Sequence, residues 1–187
     1  KQFASHHDMA AAFQKMLPRE PSGDYRIPSI AYYADHTLDG LPARWSAAPA
    51  RIVADLRNAY DGGMRAMNFE TDFNFGKYGL AYYLMSKVLW NARLTAEQLD
   101  AIRDRWLQRS FGSGWREMKA YYDFMLVENY SANAPGTWAK AIRLIDAADA
   151  WIDPASEPDA KRRLDDVKQY WYWYYLLDTE RAKRDVP

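Results

Sequence analysis

The chain has 187 residues with 25 basic and 25 acidic side chains, and therefore a formal net charge of zero. This length is enough for one substantial domain with a buried core, and we do not expect two complete enzyme domains. A neutral chain has no electrostatic field that would gather nucleic acid or an anionic membrane surface. No apolar run approaches the roughly 18 residues that a membrane span needs. The absence of cysteine excludes disulfides, thiolate zinc sites and cysteine nucleophiles.

The first 76 residues predict a helix followed by a strand–helix–strand order. Apolar residues recur at helical spacing over Ser5–Leu17. Short apolar runs at Ile27–Tyr33 and Met64–Phe69 are typical of buried strands. Between these two runs, the pattern predicts a helix that begins at the Ser46–Pro49 signal and ends at Asp61–Gly63.

After residue 77 the pattern predicts helices only. The first of them, Tyr78–Trp90, is apolar nearly all round, which is typical of a helix buried on several sides. Thr95 and Gln98 form a capping-box signal for the second. The five predicted helices begin near Tyr78, Thr95, Ser113, Thr137 and Ser156. They indicate a bundle-like domain over residues 77–187, in which Thr137 caps its helix and the Ser113 helix continues to about Asn129.

Polar side chains follow both predicted strands at the point where each strand ends. Asp35 and His36 follow the first strand, and Glu70, Asp72 and Asn74 follow the second. In an α/β barrel the carboxyl ends of the strands and the loops beyond them form the active site. Glutamate is disfavoured in strands and is a poor turn former, so the place of Glu70 at the strand end indicates a site role. We predict that Glu70 is catalytic or binds substrate, and that the other four residues bind substrate. The alternative is that Asp35, Asp39 and Asp72 are solvated loop acids and helix caps.

The aromatic content is unusually high, with 14 Tyr, 8 Trp and 7 Phe. Six consecutive rings, Tyr170–Tyr175, lie within the last predicted helix. Aromatic rings with a polar tip can stack on the apolar face of a sugar, but at helical spacing they more often fill a core. We therefore expect Tyr170–Tyr175 to be largely buried and structural.

Several familiar catalytic and cofactor motifs are absent from the sequence. His6 and His7 are adjacent, so they point to different sides of a helix and cannot converge on one metal. The chain has no HExxH motif, no complete dinucleotide loop, no Walker A sequence and no GxSxG elbow. We therefore expect no resident metal and no cofactor.

One part of the chain resembles a known family. The motifs that carry the resemblance are Gly62–Glu70, Gly79–Leu84, Leu89–Asn91, Phe111-Gly112 and Met118–Tyr122. Together they resemble a bacterial family of glycoside-hydrolase-like proteins related to the α-glucuronidases and β-hexosaminidases. The resemblance covers about a third of the chain.

The resemblance implies a fold and an activity. It implies that the two strands are the last two of a (β/α)₈ barrel, followed by an appended all-helical domain. Such a barrel takes about 250 residues, so the remaining strands and the general acid would lie upstream in the same protein. The chain opens on Lys1 without an initiator methionine, and we expect it to be a piece of a longer chain. The implied substrate is a glycan, and the implied location is the bacterial periplasm or the exterior.

A second interpretation comes from a different class of protein. The helical part, with its many aromatic side chains, is also compatible with a non-catalytic interaction module that docks a partner chain through an aromatic face. The sequence upstream of Lys1 would distinguish the two, because the enzyme requires six further strand–helix units there.

Overall fold

The structure, a computed structural model, describes the backbone of residues 12, 15–16, 29–33, 48–61, 64–69, 75–127 and 136–184. In chain order the elements are β1 (Ser29–Tyr33), α1 (Pro49–Asp61), β2 (Met64–Phe69), α2 (Phe75–Trp90), α3 (Ala96–Phe111), α4 (Trp115–Tyr122), α5 (Thr137–Asp149) and α6 (Pro158–Arg184). A 3₁₀ turn, Gly112–Gly114, precedes α4, and a π-helical segment, Asp123–Val127, follows it. The described part of the chain is therefore mostly helical, as the predicted succession of helices requires, and the barrel stays a prediction.

The chain forms two compact units. One unit contains the described residues of Lys1–Phe73 together with Leu80–Ile102, and the other contains those of Asn74–Gly79 and Arg103–Pro187. Every described element beyond residue 77 is a helix, as the sequence pattern predicts. The domain boundary near residue 77 stays a prediction.

The first unit contains a parallel strand pair. β1 and β2 pair in parallel, with Ala31 opposite Met67 and Tyr33 opposite Phe69. Parallel neighbours cannot be joined by a tight hairpin and need a crossover, which is usually a helix. Here α1 lies between the two strands in the chain and contacts β2. The predicted strand–helix–strand order is thus present. The remaining strands of the barrel, expected upstream of this chain, stay a prediction. Most of the predicted Ser5–Leu17 helix lies outside the described residues, and its described residues 12, 15 and 16 are helical.

Helix α1 begins where the sequence predicts and is held on two sides. Pro49 occupies its first turn, where a missing N–H costs nothing, and its apolar side chains Ile52, Val53 and Leu56 are buried. On another side, the Arg57 guanidinium donates hydrogen bonds to the carbonyls of Ala92 at 3.4 Å and Leu94 at 2.8 Å. These two hydrogen bonds connect α1, the crossover helix, to the turn between α2 and α3.

The capping box predicted for α3 is present. The backbone N–H of Gln98 donates to Thr95 Oγ1 at 3.2 Å, and the N–H of Thr95 donates to Gln98 Oε1 at 3.0 Å. These reciprocal bonds satisfy backbone donors that the start of a helix leaves without partners. At the same end, a backbone N–H and the Thr95 hydroxyl lower the pKa of Glu97 from its ordinary value.

The second unit has its core between helices. Helix α5 contacts both α4 and α6. Residues spaced four, three and four apart along α6 are buried, and they are Ala160, Leu164, Val167 and Trp171. The corresponding buried residues on and just after α5 are Ala141, Ile145, Ala148 and Ile152. This spacing places each set on one face of its helix, so that the two faces can exclude water between them.

An ionic network lies along the α5–α6 contact. The Lys168 ammonium lies 2.7 Å from Asp149 Oδ2 and 3.4 Å from Asp146 Oδ1. The Lys161 ammonium lies 2.9 Å from Asp149 Oδ1 and 2.6 Å from Asp165 Oδ1. Hydrogen bonds from Lys168 and then Lys161 lower the pKa of Asp149 from its ordinary 3.8. Asp149 is therefore the carboxylate on which both lysines converge.

One local prediction for this unit, the Thr137 cap, is wrong, and one predicted helix changes type along its length. Gly136, with a φ of 82°, is the N-cap residue of α5, and no side-chain cap bond is made there. Thr137 is instead the first helical residue, because the chain enters α5 through a left-handed conformation that glycine adopts without strain. The helix predicted from Ser113 is present over its described residues, and its backbone changes from 3₁₀ to α to π along its length. Residues 128–135 lie outside the described part of the chain.

We predict that Asp149→Asn lowers the free energy of unfolding at pH 7 by about 1 kcal/mol, because it removes a carboxylate shared by two partly exposed lysines. The pKa of this carboxyl is lower in the folded chain than in the unfolded one. Its contribution is therefore complete above about pH 4 and is lost as the pH falls through the folded-state pKa. Urea unfolding at pH 7 and near pH 2 measures the difference. Asp166→Asn, at an exposed position of α6, is the matched control. An equal loss for Asp149→Asn at both pH values would show that packing, not charge, is responsible.

Candidate functional site

The predicted site lies beyond the carboxyl ends of β1 and β2. The last paired residues of the two strands are Tyr33 and Phe69, so the chain leaves both strands at the same edge of the sheet. Glu70 is bonded directly to Phe69, and Asp35 comes two residues after Tyr33. Neighbouring strands lie about 4.8 Å apart. The backbone thus brings the two strand ends together.

The five predicted site residues themselves fall outside the described residues. They are Asp35, His36, Glu70, Asp72 and Asn74. The elements on either side of the group that follows β2 are described: β2 ends at Phe69 and α2 begins at Phe75. Five residues therefore separate the strand from the helix in the chain. Three of those five are predicted site residues, Glu70, Asp72 and Asn74.

A serine–glutamate pair joins the 3₁₀ turn to the start of α6. Ser113 Oγ lies 2.5 Å from Glu157 Oε2 and 2.6 Å from the carbonyl of Trp151, and the Ser113 N–H donates to Glu157 Oε1 at 3.0 Å. Gly112 has a φ of 49°, and a Cβ there would lie 2.0 Å from Glu157 Oε1. The carboxylate therefore rests against a glycine that has no side chain to exclude it. This arrangement is a structural joint, because both carboxylate oxygens are used within the chain.

A second ionic cluster surrounds the start of the π-helical segment. Arg103 on α3 is buried, and its Nη1 lies 3.2 Å from Asp123 Oδ1. The Lys119 ammonium lies 3.1 Å from the other oxygen, Oδ2. A buried guanidinium needs a carboxylate partner, because an unpaired charge in this environment costs several kcal/mol. Although π-helical segments are frequent at functional sites, the carboxylate here is held by cations on both oxygens, which favours a structural role.

Arg103 is not among the residues that the sequence pattern points to. It stands beside Asp104 and Arg105, both charged and therefore typical of a solvated helix face. A helical signal is nevertheless present, since Leu99 and Leu107 lie four residues before and after Arg103 and both are fully buried. Residues four apart share one helix face. An arginine flanked in this way belongs to a buried face.

Aromatic side chains contribute to the core of the second unit. The Trp171 indole N–H donates to the Tyr121 hydroxyl at 2.6 Å, and both residues are buried. The Tyr121 ring packs edge-on against Trp171 and against Tyr122, with centroid distances of 6.3 Å and 5.1 Å. Trp106 packs in the same way against Phe111 and Tyr122. Burial raises the pKa of Tyr122 well above its ordinary 10.0, so this hydroxyl is not an acid–base group at neutral pH.

The expectation that Tyr170–Tyr175 is largely buried is wrong for part of this run. Trp171 is 2% exposed, but Tyr172 is 67% and Trp173 is 57% exposed. Consecutive helical residues point about 100° apart, so a neighbour on one side of α6 can cover only one of them. The side chains of Tyr174 and Tyr175 lie outside the described residues. The run thus contributes a core residue and an exposed aromatic pair.

Within the described part of the chain, no helix is both long and apolar enough to cross a membrane. No group of three His, Asp or Glu side chains in the described ranges is placed to hold a metal ion.

Comparisons of the chain with protein-family models, with curated proteins and with solved structures find no match.

We predict that Gly112→Ala lowers the free energy of unfolding by about 1 to 3 kcal/mol through backbone strain, with a further loss because Glu157 must move. Gly136→Ala is the matched control. It also stands at positive φ, but a Cβ there meets nothing within 4 Å. Urea unfolding should show the larger loss for Gly112→Ala. Equal losses would mean that the Ser113–Glu157 joint tolerates displacement of the carboxylate at no cost.

We also predict that the two tryptophans of α6 differ sharply in their contribution to stability. Trp171→Ala should cost about 3 to 5 kcal/mol, because it leaves a cavity and removes the partner of the Tyr121 hydroxyl. Trp173→Ala should cost less than about 1 kcal/mol, as is usual for an exposed position. Urea unfolding of both variants tests this difference. A loss of similar size for the two would contradict the exposure of Trp173.

Proposed function

We propose that this chain is part of a carbohydrate-active enzyme that hydrolyses glycosidic bonds. The observation that carries the proposal is the parallel pairing of β1 and β2, whose chain exits are neighbours at one edge. Acidic side chains follow both exits in the sequence, at Asp35 and Glu70. Carboxyl groups beyond the ends of parallel strands are the arrangement that barrel enzymes use for chemistry. The sequence resemblance to glycoside-hydrolase-like proteins agrees with this reading.

The proposed chemistry uses two carboxyl groups. One, in its protonated form, donates a proton to the oxygen of the leaving sugar, and the other acts as base or nucleophile. Glu70 is proposed as one member of this pair. Its partner is proposed to lie in the upstream part of the same protein, with the remaining strands of the barrel. Asp35, His36, Asp72 and Asn74 are proposed to hydrogen-bond the hydroxyls of a glycan.

We predict that Glu70→Gln in the intact enzyme lowers turnover of an aryl glycoside by at least about 100-fold, because the substitution keeps the size of the side chain and removes its acid–base function. A Glu70 that only orients a hydroxyl would instead weaken binding by roughly 10- to 100-fold, as expected for a charged hydrogen bond. Steady-state kinetics separate the two through kcat and KM. The control is Glu97→Gln, at an exposed position on α3.

Unchanged kinetics with a lower melting temperature would overturn the proposal. Glu70 would then be an internal partner of a nearby arginine, with Arg44 and Arg65 the residues to test. In that case the interpretation of the strand ends as an active site would be wrong.

The exposed pair Tyr172 and Trp173 favours a second candidate function. Tyr and Trp are the residues most often found at the energetic centres of protein interfaces, and these two project from α6 into solvent. In this reading the chain is a non-catalytic module that docks a partner protein through α6.

We predict that the same two variants give different results for the two candidate functions. For the enzyme, Glu70→Gln removes turnover, and Trp173→Ala leaves it unchanged. For the module, no glycosidase activity is measurable in any form of the protein, and Trp173→Ala weakens partner binding without lowering stability. Assays of both variants against a panel of aryl glycosides, with urea unfolding alongside, distinguish the two.

A further inference from the structure

We draw no further inference here: the strongest candidate, the exposed Leu89–Trp90 pair at the carboxyl end of α2, is an apolar patch for which nothing in the described residues shows what covers it.

Discussion

The parallel pairing of β1 and β2 is the constraint on which the candidate site depends. Parallel strands end at the same edge only if the chain crosses back between them, and α1 supplies that crossover. The crossover is itself anchored, because Arg57 reaches from α1 to the carbonyls of Ala92 and Leu94. Had the two strands paired antiparallel, residues 34 and 70 would leave from opposite edges. That Tyr33 and Phe69 lie side by side is thus a consequence of topology.

The second unit depends on a different interaction, the burial of one face of α6. Trp171 is the largest residue on that face. Its ring is buried, and its indole N–H donates a hydrogen bond to the Tyr121 hydroxyl. A buried indole without a partner would lose its hydrogen bond to water with no replacement. The ionic network of Lys161 and Lys168 lies along the same contact but remains partly exposed. Apolar burial is therefore expected to contribute more to stability than the ion pairs do.

Most of the polar clusters in the second unit are engaged in holding the chain together. Glu157 accepts a hydrogen bond from the Ser113 N–H. Asp123 forms an ion pair with the buried Arg103, and Asp149 accepts hydrogen bonds from Lys168 and Lys161. A carboxylate whose oxygens are already bonded within the chain has little capacity left for a substrate. These three carboxylates are therefore used structurally, and the proposed chemistry is assigned to the acids that follow the strands.

The sequence by itself determined the features that depend on neighbours along the chain. The reciprocal Thr95–Gln98 cap, the start of α1 at Pro49 and the two short strands all follow from local pattern, because capping, backbone restriction and short apolar runs act within a few residues. Only the tertiary structure decided which of the rings in Tyr170–Tyr175 are buried, since burial depends on which side of α6 meets another helix. It likewise decided that Arg103 is buried against Asp123, a partner 20 residues away, and that β1 and β2 run parallel. These contacts join residues far apart in the chain, and their geometry exists only once the helices and strands have packed.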